Sequence, residues 1–391
     1  MRLGTMARGT ALLGWLALAG PATLAAEYPT PLAVEPTNTL TTLPANYPAS
    51  WIFVHDLNFQ SMIDGRAAII DVAAPSHALK GQFGIAHFGN MLVSKTQPEI
   101  YVAETFYSRL TRGERTDTIT IWDKVSLAPK GEIILPGGKR GQSVTVKNSF
   151  QFTNDEKWAM IFNFTPAASV TIIDLAARKP ISTIDIPGCS MIYPTGTRGF
   201  STLCADGTLM GITLNEKGEV ARSATSKVLN DTQNDPMFMM PAMVGRTGWF
   251  VTFQGTIHGI DFSGDTARDL GTFSLPRTKT EKGEWRPGGW QVVAADPAGQ
   301  VYVLMSPDGK EGSHKDGGTE VWVADVKAKK RVARIALREA AWSIEVTAEQ
   351  KPSLIAAKFD GSLDVYDAAS GTFLRTVAHA GNSPMTMTAI K

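Results

Sequence analysis

Two short segments combine side chains that could bind a ligand or a partner. The first is Glu104–Asp117, in which three arginines and three acids lie among aromatic residues just before a predicted strand. Arginine, tyrosine and phenylalanine are enriched at protein interfaces, which favours a recognition loop. The alternative is a hairpin loop with surface ion pairs, each contributing less than about 1 kcal/mol. The candidate contact residues are Phe106, Tyr107, Arg109, Arg112 and Arg115.

The second segment is Trp285–Trp290, where two tryptophans flank an Arg-Pro-Gly-Gly turn. Its composition is equally compatible with a packed corner and with the rim of a binding site. Tryptophan serves both purposes, because it buries a large apolar surface and carries one hydrogen-bond donor.

A catalytic constellation is missing from the sequence. There is no GxSxG nucleophile elbow, no Walker loop and no GxGxxG between a strand and a helix. The histidines stand alone, without a second ligand two to four residues away, which is typical of surface or core histidines: His55, His77, His87, His258, His314 and His379. We therefore predict no catalytic residue and no metal ligand in this chain, although some folds gather ligands from distant segments.

A repeating unit indicates the architecture. An alternating β-rich run ends in Asp, a short polar turn follows, and another apolar strand comes next. Six copies recur, with steps between their aspartates that include 52, 51 and 42 residues. A degenerate seventh copy at Gly207–Thr213 fills the long gap between the third and the fourth. The copies end at Asp71, Asp123, Asp174, Asp261, Asp325 and Asp367.

The repeat predicts an all-β, seven-bladed β-propeller. About four short strands per unit and a period of about 52 residues are typical of that fold. Helices should be few, because no sustained 3.6-residue apolar pattern appears within it. The long step between the fourth and fifth Asp-terminated copies predicts an insertion at Arg277–Glu284 or Lys310–Gly318. A two-sheet sandwich is the alternative, but it accounts poorly for seven repeats.

The first residues predict export. Met1–Arg8 carries two arginines and no acid, Gly9–Gly20 is apolar, and Pro21–Ala26 ends in small residues. This is the pattern of a cleavable signal peptide, with a buried N-terminal helix as the alternative. We expect a signal peptide at 1–26, an N-terminal extension at 27–50, the propeller at 51–391, and a location in the periplasm.

Composition narrows the partners. The 38 Lys and Arg residues nearly balance the 37 Asp and Glu residues, so no basic face for nucleic acid is expected. No later stretch reaches the ~20 apolar residues that span a bilayer, so no membrane association is expected.

In an oxidising compartment the two cysteines, Cys189 and Cys204, favour a disulfide worth about 3 kcal/mol, with two free thiols as the alternative.

Five segments in order resemble the heavy subunit of the methylamine and aralkylamine dehydrogenases, which are quinoprotein amine dehydrogenases. They are spread over the chain from about residue 50 onwards, and together they are specific where one alone would be weak. The matching stretches are Thr105–Asp117, Asp206–Leu209 after Cys204, Gly255–Asp261, Trp285–Trp290 and Pro307–Lys315.

The resemblance implies a fold, a function and partners. The family's heavy subunit is a seven-bladed propeller whose cysteine pair matches Cys189 and Cys204. Two heavy subunits assemble with two light subunits, and the light subunit carries tryptophan tryptophylquinone and the catalytic carboxylate. The implied reaction is oxidative deamination of a primary amine to an aldehyde and ammonia, with electrons passing to a blue copper protein. This chain itself is then expected to hold no cofactor and to present Glu104–Asp117 to the light subunit.

The resemblance also implies a substrate channel. A phenylalanine of the first blade lines that channel in the family, and its best match here is Phe88 in Ala86-His-Phe-Gly-Asn90, with Phe83 as the alternative register. A core aromatic is the competing interpretation of Phe88. The Trp285–Trp290 segment is similar to the methylamine branch and Pro307–Lys315 to the aralkylamine branch, so the substrate stays open.

Two other functions remain as alternatives. One is a stand-alone, lactonase-like hydrolase with a metal in its central channel, which needs acidic, amide or histidine side chains converging on the axis. The other is a non-catalytic binding propeller.

Overall fold

In the computed structural model, residues 42–141, 144–275 and 283–390 are described. The predicted signal peptide at 1–26 and residues 27–41 of the predicted extension lie outside them. Residues 277–282 of one candidate insertion also lie outside. The other candidate, Lys310–Gly318, joins two strands and contains the 3-10 helix Ser313–Lys315.

The described residues form 28 β-strands and three single-turn 3-10 helices, which confirms the all-β prediction. The 3-10 helices are Met62–Asp64, Lys147–Ser149 and Ser313–Lys315. The strands before residue 200 are β1 Trp51–Asp56, β2 Gly65–Asp71, β3 Leu79–Ile85, β4 His87–Val93, β5 Glu99–Arg109, β6 Arg112–Asp123, β7 Pro129–Ile134, β8 Phe150–Phe152, β9 Trp158–Asn163, β10 Ser169–Asp174, β11 Lys179–Asp185, β12 Cys189–Pro194 and β13 Gly199–Cys204. The later strands are β14 Leu209–Leu214, β15 Val220–Thr225, β16 Ala242–Val244, β17 Thr247–Val251, β18 Thr256–Asp261, β19 Arg268–Ser274, β20 Arg286–Pro287, β21 Val293–Ala295, β22 Gln300–Ser306, β23 Gly318–Asp325, β24 Lys330–Val346, β25 Ser353–Lys358, β26 Leu363–Asp367, β27 Phe373–Val377 and β28 Pro384–Ala389.

The predicted repeat is the third strand of each antiparallel unit. Six of these strands end in the predicted aspartates, and the degenerate copy is β14. The terminal carboxylate accepts hydrogen bonds from backbone N–H groups two or three residues later, for example from Ser126 to Asp123 (2.8 Å) and from Ser370 to Asp367 (2.7 Å). An aspartate in this position substitutes for a backbone acceptor and fixes the turn. This local chemistry is why the pattern is visible in the sequence.

The hydrophobic core lies between neighbouring sheets. Phe53 of the first sheet packs in one cluster with Ile100 of the second, and Tyr101 of the second packs with Phe150 of the third. Further clusters continue through the later sheets until Ile355 meets the first sheet again. Side chains alternate between the two faces of a strand, so each blade contributes core side chains that pack against both neighbouring blades. The fold is a β-propeller.

The predicted number of blades is wrong. Five four-stranded sheets form separate blades, and the remaining eight strands form one continuous sheet. The cause is β24, which pairs with β23 up to Ala341 and with β25 from Ala341 onwards. The repeats that end at Asp325 and Asp367 therefore share one sheet.

The two ends of the propeller chain meet in one blade. The sheet order is β28-β1-β2-β3, so the last strand is hydrogen-bonded to the first. The buried carboxylate of Asp56 reinforces this contact by accepting the N–H groups of Asn382 (2.8 Å) and Ser383 (2.7 Å). The ring is closed by residues more than 300 positions apart.

Candidate functional site

The hairpin β5–β6 extends beyond the rest of its blade. The inner neighbour β4 pairs with β5 only as far as Thr105, and the outer neighbour β7 pairs with β6 only from Thr118. Beyond these points the two strands pair with each other alone, up to Arg109 opposite Arg112. Leu110 lies in the turn and is 72% exposed. The end of the hairpin therefore projects from the sheet.

The predicted contact residues fall into two groups along this hairpin, whose tip we define as residues 106–112. Three of them are exposed: Phe106, Arg109 and Arg112. Tyr107 and Arg115 lie opposite each other in the register and are half-buried. The Tyr107 ring packs edge-on against His87, with centroids 5.6 Å apart. Since opposed residues share a face of the hairpin, one face is free and the other turns towards the start of β4.

Phe88 lies on a bulge at the start of β4, which places it in the second blade and not in the first as predicted. The register with β5 shifts between His87 and Asn90, and Phe88 has φ +55°. That backbone region is rare for a bulky residue. A Cβ on the next residue, Gly89, would lie 2.0 Å from Ile85 Cγ2, so glycine is required there. Phe88 is half-buried beside a cleft lined by Asn90, Arg140, Thr145, Phe162 and Phe164.

Phe83, the alternative register for the channel residue, lies in the core instead. Its buried ring packs against Phe53 at 6.3 Å and Trp122 at 5.5 Å between centroids. The Phe83 ring is therefore enclosed between two blades, whereas Phe88 borders the cleft.

Arg115 covers the ring of Phe88. Its guanidinium carbon lies 5.3 Å from the ring centroid, within the range of a cation–π contact. The Asp117 carboxylate accepts hydrogen bonds from Arg115 Nε (3.1 Å) and Nη2 (3.0 Å). Arg115 Nη2 also donates to the carbonyl of Arg140. Arg115 is thus held against Phe88 from two sides.

Arg140 is buried beneath the bulge. Its Nη2 donates to the carbonyl oxygens of Phe88 and of Ala103, the latter at 3.1 Å. Burial lowers the pKa of Arg140 to about 10, while the nearby Asp117 carboxylate acts in the opposite direction. The guanidinium therefore stays charged at neutral pH and anchors the backbone of Phe88.

Glu104 is the second buried charge of this region. Its carboxylate accepts the backbone N–H of Ala86 (2.7 Å) and the hydroxyl of Thr120 (2.5 Å). Burial raises the pKa of Glu104, and these two hydrogen bonds together with Arg140 oppose the shift. We call Glu104, Arg115, Asp117 and Arg140 the buried charge cluster.

Arg140 was not predicted from the sequence. It follows a Pro-Gly-Gly-Lys turn that has the composition of an exposed loop. Its contacts with Phe88 and Ala103 are made across 52 and 37 residues. No local pattern could have indicated them.

The inner strands surround a central cavity of about 670 Å³. At its wall Lys147 Nζ pairs with Glu345 at 3.0 Å, and the Gln291 side chain donates to the same carboxylate at 3.0 Å. The Gln291 carbonyl oxygen accepts the N–H of Met387 at 2.9 Å. These polar groups join distant parts of the chain, so they tie the inner strands together.

The Trp285–Trp290 segment forms a packed corner. Trp285 lies against Trp322, with ring centroids 5.4 Å apart. The indole N–H of Trp290 donates to the carbonyl of Thr145 at 2.7 Å. Both tryptophans are therefore engaged with other strands rather than displayed at a rim.

The predicted disulfide is present between Cys189 and Cys204. The two cysteines are directly opposed at one end of the β12–β13 ladder. The bond joins the inner two strands of that blade and lies far in sequence from the buried charge cluster.

Within the described ranges, no three His, Cys, Asp or Glu side chains are grouped to hold a metal ion. The same residues include no helix with the length and apolarity to cross a membrane.

A family model decides the assignment of the chain. The model for the methylamine dehydrogenase heavy chain matches residues 51–391. The chain belongs to this family. Membership makes it a subunit of an oxidoreductase and implies a light-subunit partner.

Named relatives agree with the family. The methylamine dehydrogenase heavy chain of Methylophilus methylotrophus is 27% identical over 81% of this chain and 78% of its own length. That of Methylobacillus flagellatus is 28% identical over 78% and 77%. That of Paracoccus versutus is 30% identical over 73% and 67%.

Solved structures resemble the heavy chain in fold alone. A putative 6-phosphogluconolactonase from Bacteroides fragilis has a TM-score of 0.55 at 11% identity, covering 90% of this chain and 99% of that one. A dihydro-heme d1 dehydrogenase in complex with DHE has a TM-score of 0.50 at 14% identity, covering 89% and 78%. At such identities the likeness supports the propeller and carries no chemistry.

Proposed function

We infer that this chain is the heavy subunit of a periplasmic amine dehydrogenase that converts primary amines to aldehydes and ammonia. The family match over residues 51–391 carries this proposal, because it spans all the described strands. In the assembly of two heavy and two light subunits, the light subunit contributes tryptophan tryptophylquinone and a blue copper protein accepts the electrons. This chain contributes the scaffold and part of the substrate channel.

The hairpin tip is the proposed contact with the light subunit. In a propeller, the turns between second and third strands lie on one face, since every blade repeats the same strand order. That face displays large apolar side chains in addition to the tip's arginines: Phe59, Phe106, Leu110, Phe164 and Phe359. Exposed apolar groups beside arginine are typical of a protein interface.

Phe88 is the proposed wall of the substrate channel. Its half-buried ring lies on the same face as the hairpin tip, and it borders a cleft between two blades. An aromatic ring at such a point sorts substrates by bulk. The named relatives are methylamine dehydrogenase heavy chains, so methylamine is the first substrate to test.

The assembly is tested by purifying tagged chain from the periplasm of its native host. We expect a small, cysteine-rich, quinone-bearing subunit to co-purify and the complex to reduce a dye when amine is added. Isolation of a free monomer only, without amine-dependent dye reduction, contradicts the proposal. Stoichiometric tightly bound metal with lactone hydrolysis would instead support the hydrolase alternative.

The channel is tested with Phe88→Ala in the assembled complex. Removing the ring should relax selection by size, so the ratio of kcat/KM for methylamine to that for 2-phenylethylamine should fall roughly tenfold. Hydrophobic pockets discriminate by about 1–3 kcal/mol per methylene, which sets that scale. Leu374→Ala, at an exposed position of the outer strand β27, is the control for the ratio. An unchanged ratio in Phe88→Ala rejects Phe88 as the channel wall.

A further inference from the structure

The backbone of Phe88 is held in a conformation that it would not adopt alone. Left-handed φ for a bulky residue is unfavourable and persists only where the surroundings impose it. The bulge and Gly89 allow this conformation. They do not select it, because neither contributes a hydrogen bond to the Phe88 carbonyl. That contact comes from Arg140.

Arg140 fixes the carbonyl of Phe88 relative to the neighbouring strand. One guanidinium nitrogen donates to both Phe88 and Ala103, and the other lies 3.5 Å from the Thr105 hydroxyl. These three acceptors belong to β4 and β5. A planar guanidinium presents its donors in fixed directions, whereas a lysine ammonium is a point charge on a flexible chain. The geometry of this link is therefore specific to arginine.

Arg115 fixes the ring of the same residue. It packs over Phe88 and is held by Asp117. The Asp117 carboxylate is itself restrained, since Oδ1 accepts the Thr105 hydroxyl (2.5 Å) and Oδ2 accepts the N–H of Gly138 (2.8 Å). Arg115 also donates to the Arg140 carbonyl, so the two arginines form one support.

We propose that Arg140, together with Arg115, is a positioning residue that sets the orientation of Phe88 and thereby the amine selectivity of the channel. The proposal rests on the function proposed above for Phe88. It assigns Arg115 to the channel wall, because its guanidinium is already committed to Asp117 and Phe88. Arg109 and Arg112 remain at the partner surface.

The kinetic test uses Arg140→Lys in the assembled complex. The charge is kept and the fixed pair of carbonyl contacts is lost, so Phe88 becomes free to reorient. We expect the methylamine to 2-phenylethylamine ratio of kcat/KM to change about tenfold, as in Phe88→Ala. In the double variant Phe88→Ala/Arg140→Lys the ratio should equal that of Phe88→Ala alone, since Arg140 acts through the missing ring.

Three kinetic outcomes overturn the proposal. One is a ratio unchanged by Arg140→Lys while Phe88→Ala changes it. Another is a full additional change in the double variant, which indicates a general structural role. The third is an equal change in Arg222→Lys, the matched control at an exposed position of β15. If Arg140→Lys does not fold, Arg115→Lys replaces it in the same cycle, because Arg115 is only half-buried.

A second measurement is independent of activity. With 4-fluorophenylalanine placed at position 88 of the full chain, the fluorine resonance should shift or split in Arg140→Lys and stay unchanged in Arg222→Lys. An unchanged resonance in Arg140→Lys overturns the positioning role whether or not any amine is oxidised. A shifted resonance combined with an unchanged ratio in Phe88→Ala keeps the contact, but it overturns the selectivity and the channel role of Phe88 together.

Discussion

The two ends of the β5–β6 hairpin use the same residue types in opposite surroundings. At the base, Arg115 is half-buried, hydrogen-bonded to a buried Asp117 and packed on an aromatic ring. At the tip, Arg109 and Arg112 are exposed beside an exposed Leu110. A buried charge depends on its partners for stability, whereas an exposed charge is solvated and available for binding. Equal substitutions at the two ends should therefore affect different properties.

The largest effect is expected from Arg140→Met. Removing the buried guanidinium takes its hydrogen bonds away from the Phe88 and Ala103 carbonyls and its charge away from nearby Asp117 and Glu104. Removing one member of a buried charged network costs about 3–5 kcal/mol. The free energy of unfolding of the purified chain, measured in urea, should fall by that amount. Arg112→Met at the tip is the matched control and should stay within about 0.5 kcal/mol of the wild type. Equal losses in the two variants would remove the distinction between base and tip.

The double variant Arg109→Ala/Arg112→Ala should weaken binding of the light subunit without lowering the stability of the chain. Its stability should match that of the wild type, since both side chains are solvated. The dissociation constant for the light subunit should rise about tenfold or more, as expected for arginines that contribute to an interface. Titration calorimetry or surface binding measures this constant, with Arg222→Ala as the exposed control. Normal affinity in the double variant would make the tip a structural hairpin only.

The smallest effect concerns pH. Burial raises the pKa of Glu104 above its ordinary 4.5, so the folded chain retains this proton at pH values where the unfolded chain has released it. The contribution of Glu104 to the free energy of unfolding is therefore fully present below pH 4.5, and it is lost as the pH rises through the raised pKa of the folded chain. Glu104→Gln should remove that decline. Urea midpoints measured between pH 4 and 7 compare the two chains. Parallel curves would show that Glu104 titrates as an exposed carboxyl does.

The same contrast explains what sequence can predict. The Asp-terminated strands are visible because each carboxylate bonds to its own turn, within three residues. The buried charge cluster cannot be recognised in the sequence, because Arg140 reaches the carbonyls of Phe88 and Ala103 only in the folded chain. Glu104 and Asp117 lie inside the segment that composition singled out, but their burial was not predicted.

The predicted number of blades was wrong because of a feature that can be read in the sequence. Lys330–Val346 has no glycine and no proline, so no turn signal separates the two repeats that it joins. The number of Asp-terminated strands gives the number of repeats. It does not show whether two neighbouring repeats form separate sheets or share one. The Trp285–Trp290 corner, by contrast, could not be resolved from composition, because packing and display use the same residues.

The pairing of β28 with β1 has a consequence for how the molecule is made. The first blade is completed by residues 384–389, so its inner edge stays open until these residues have been synthesised. The Asp56 carboxylate likewise gains its hydrogen bonds from the N–H groups of Asn382 and Ser383 only when these residues are present. A nascent chain emerging in order can build its middle blades early, but its first blade is finished last. The ring is thus unable to close before residues 384–389 are available to pair with β1.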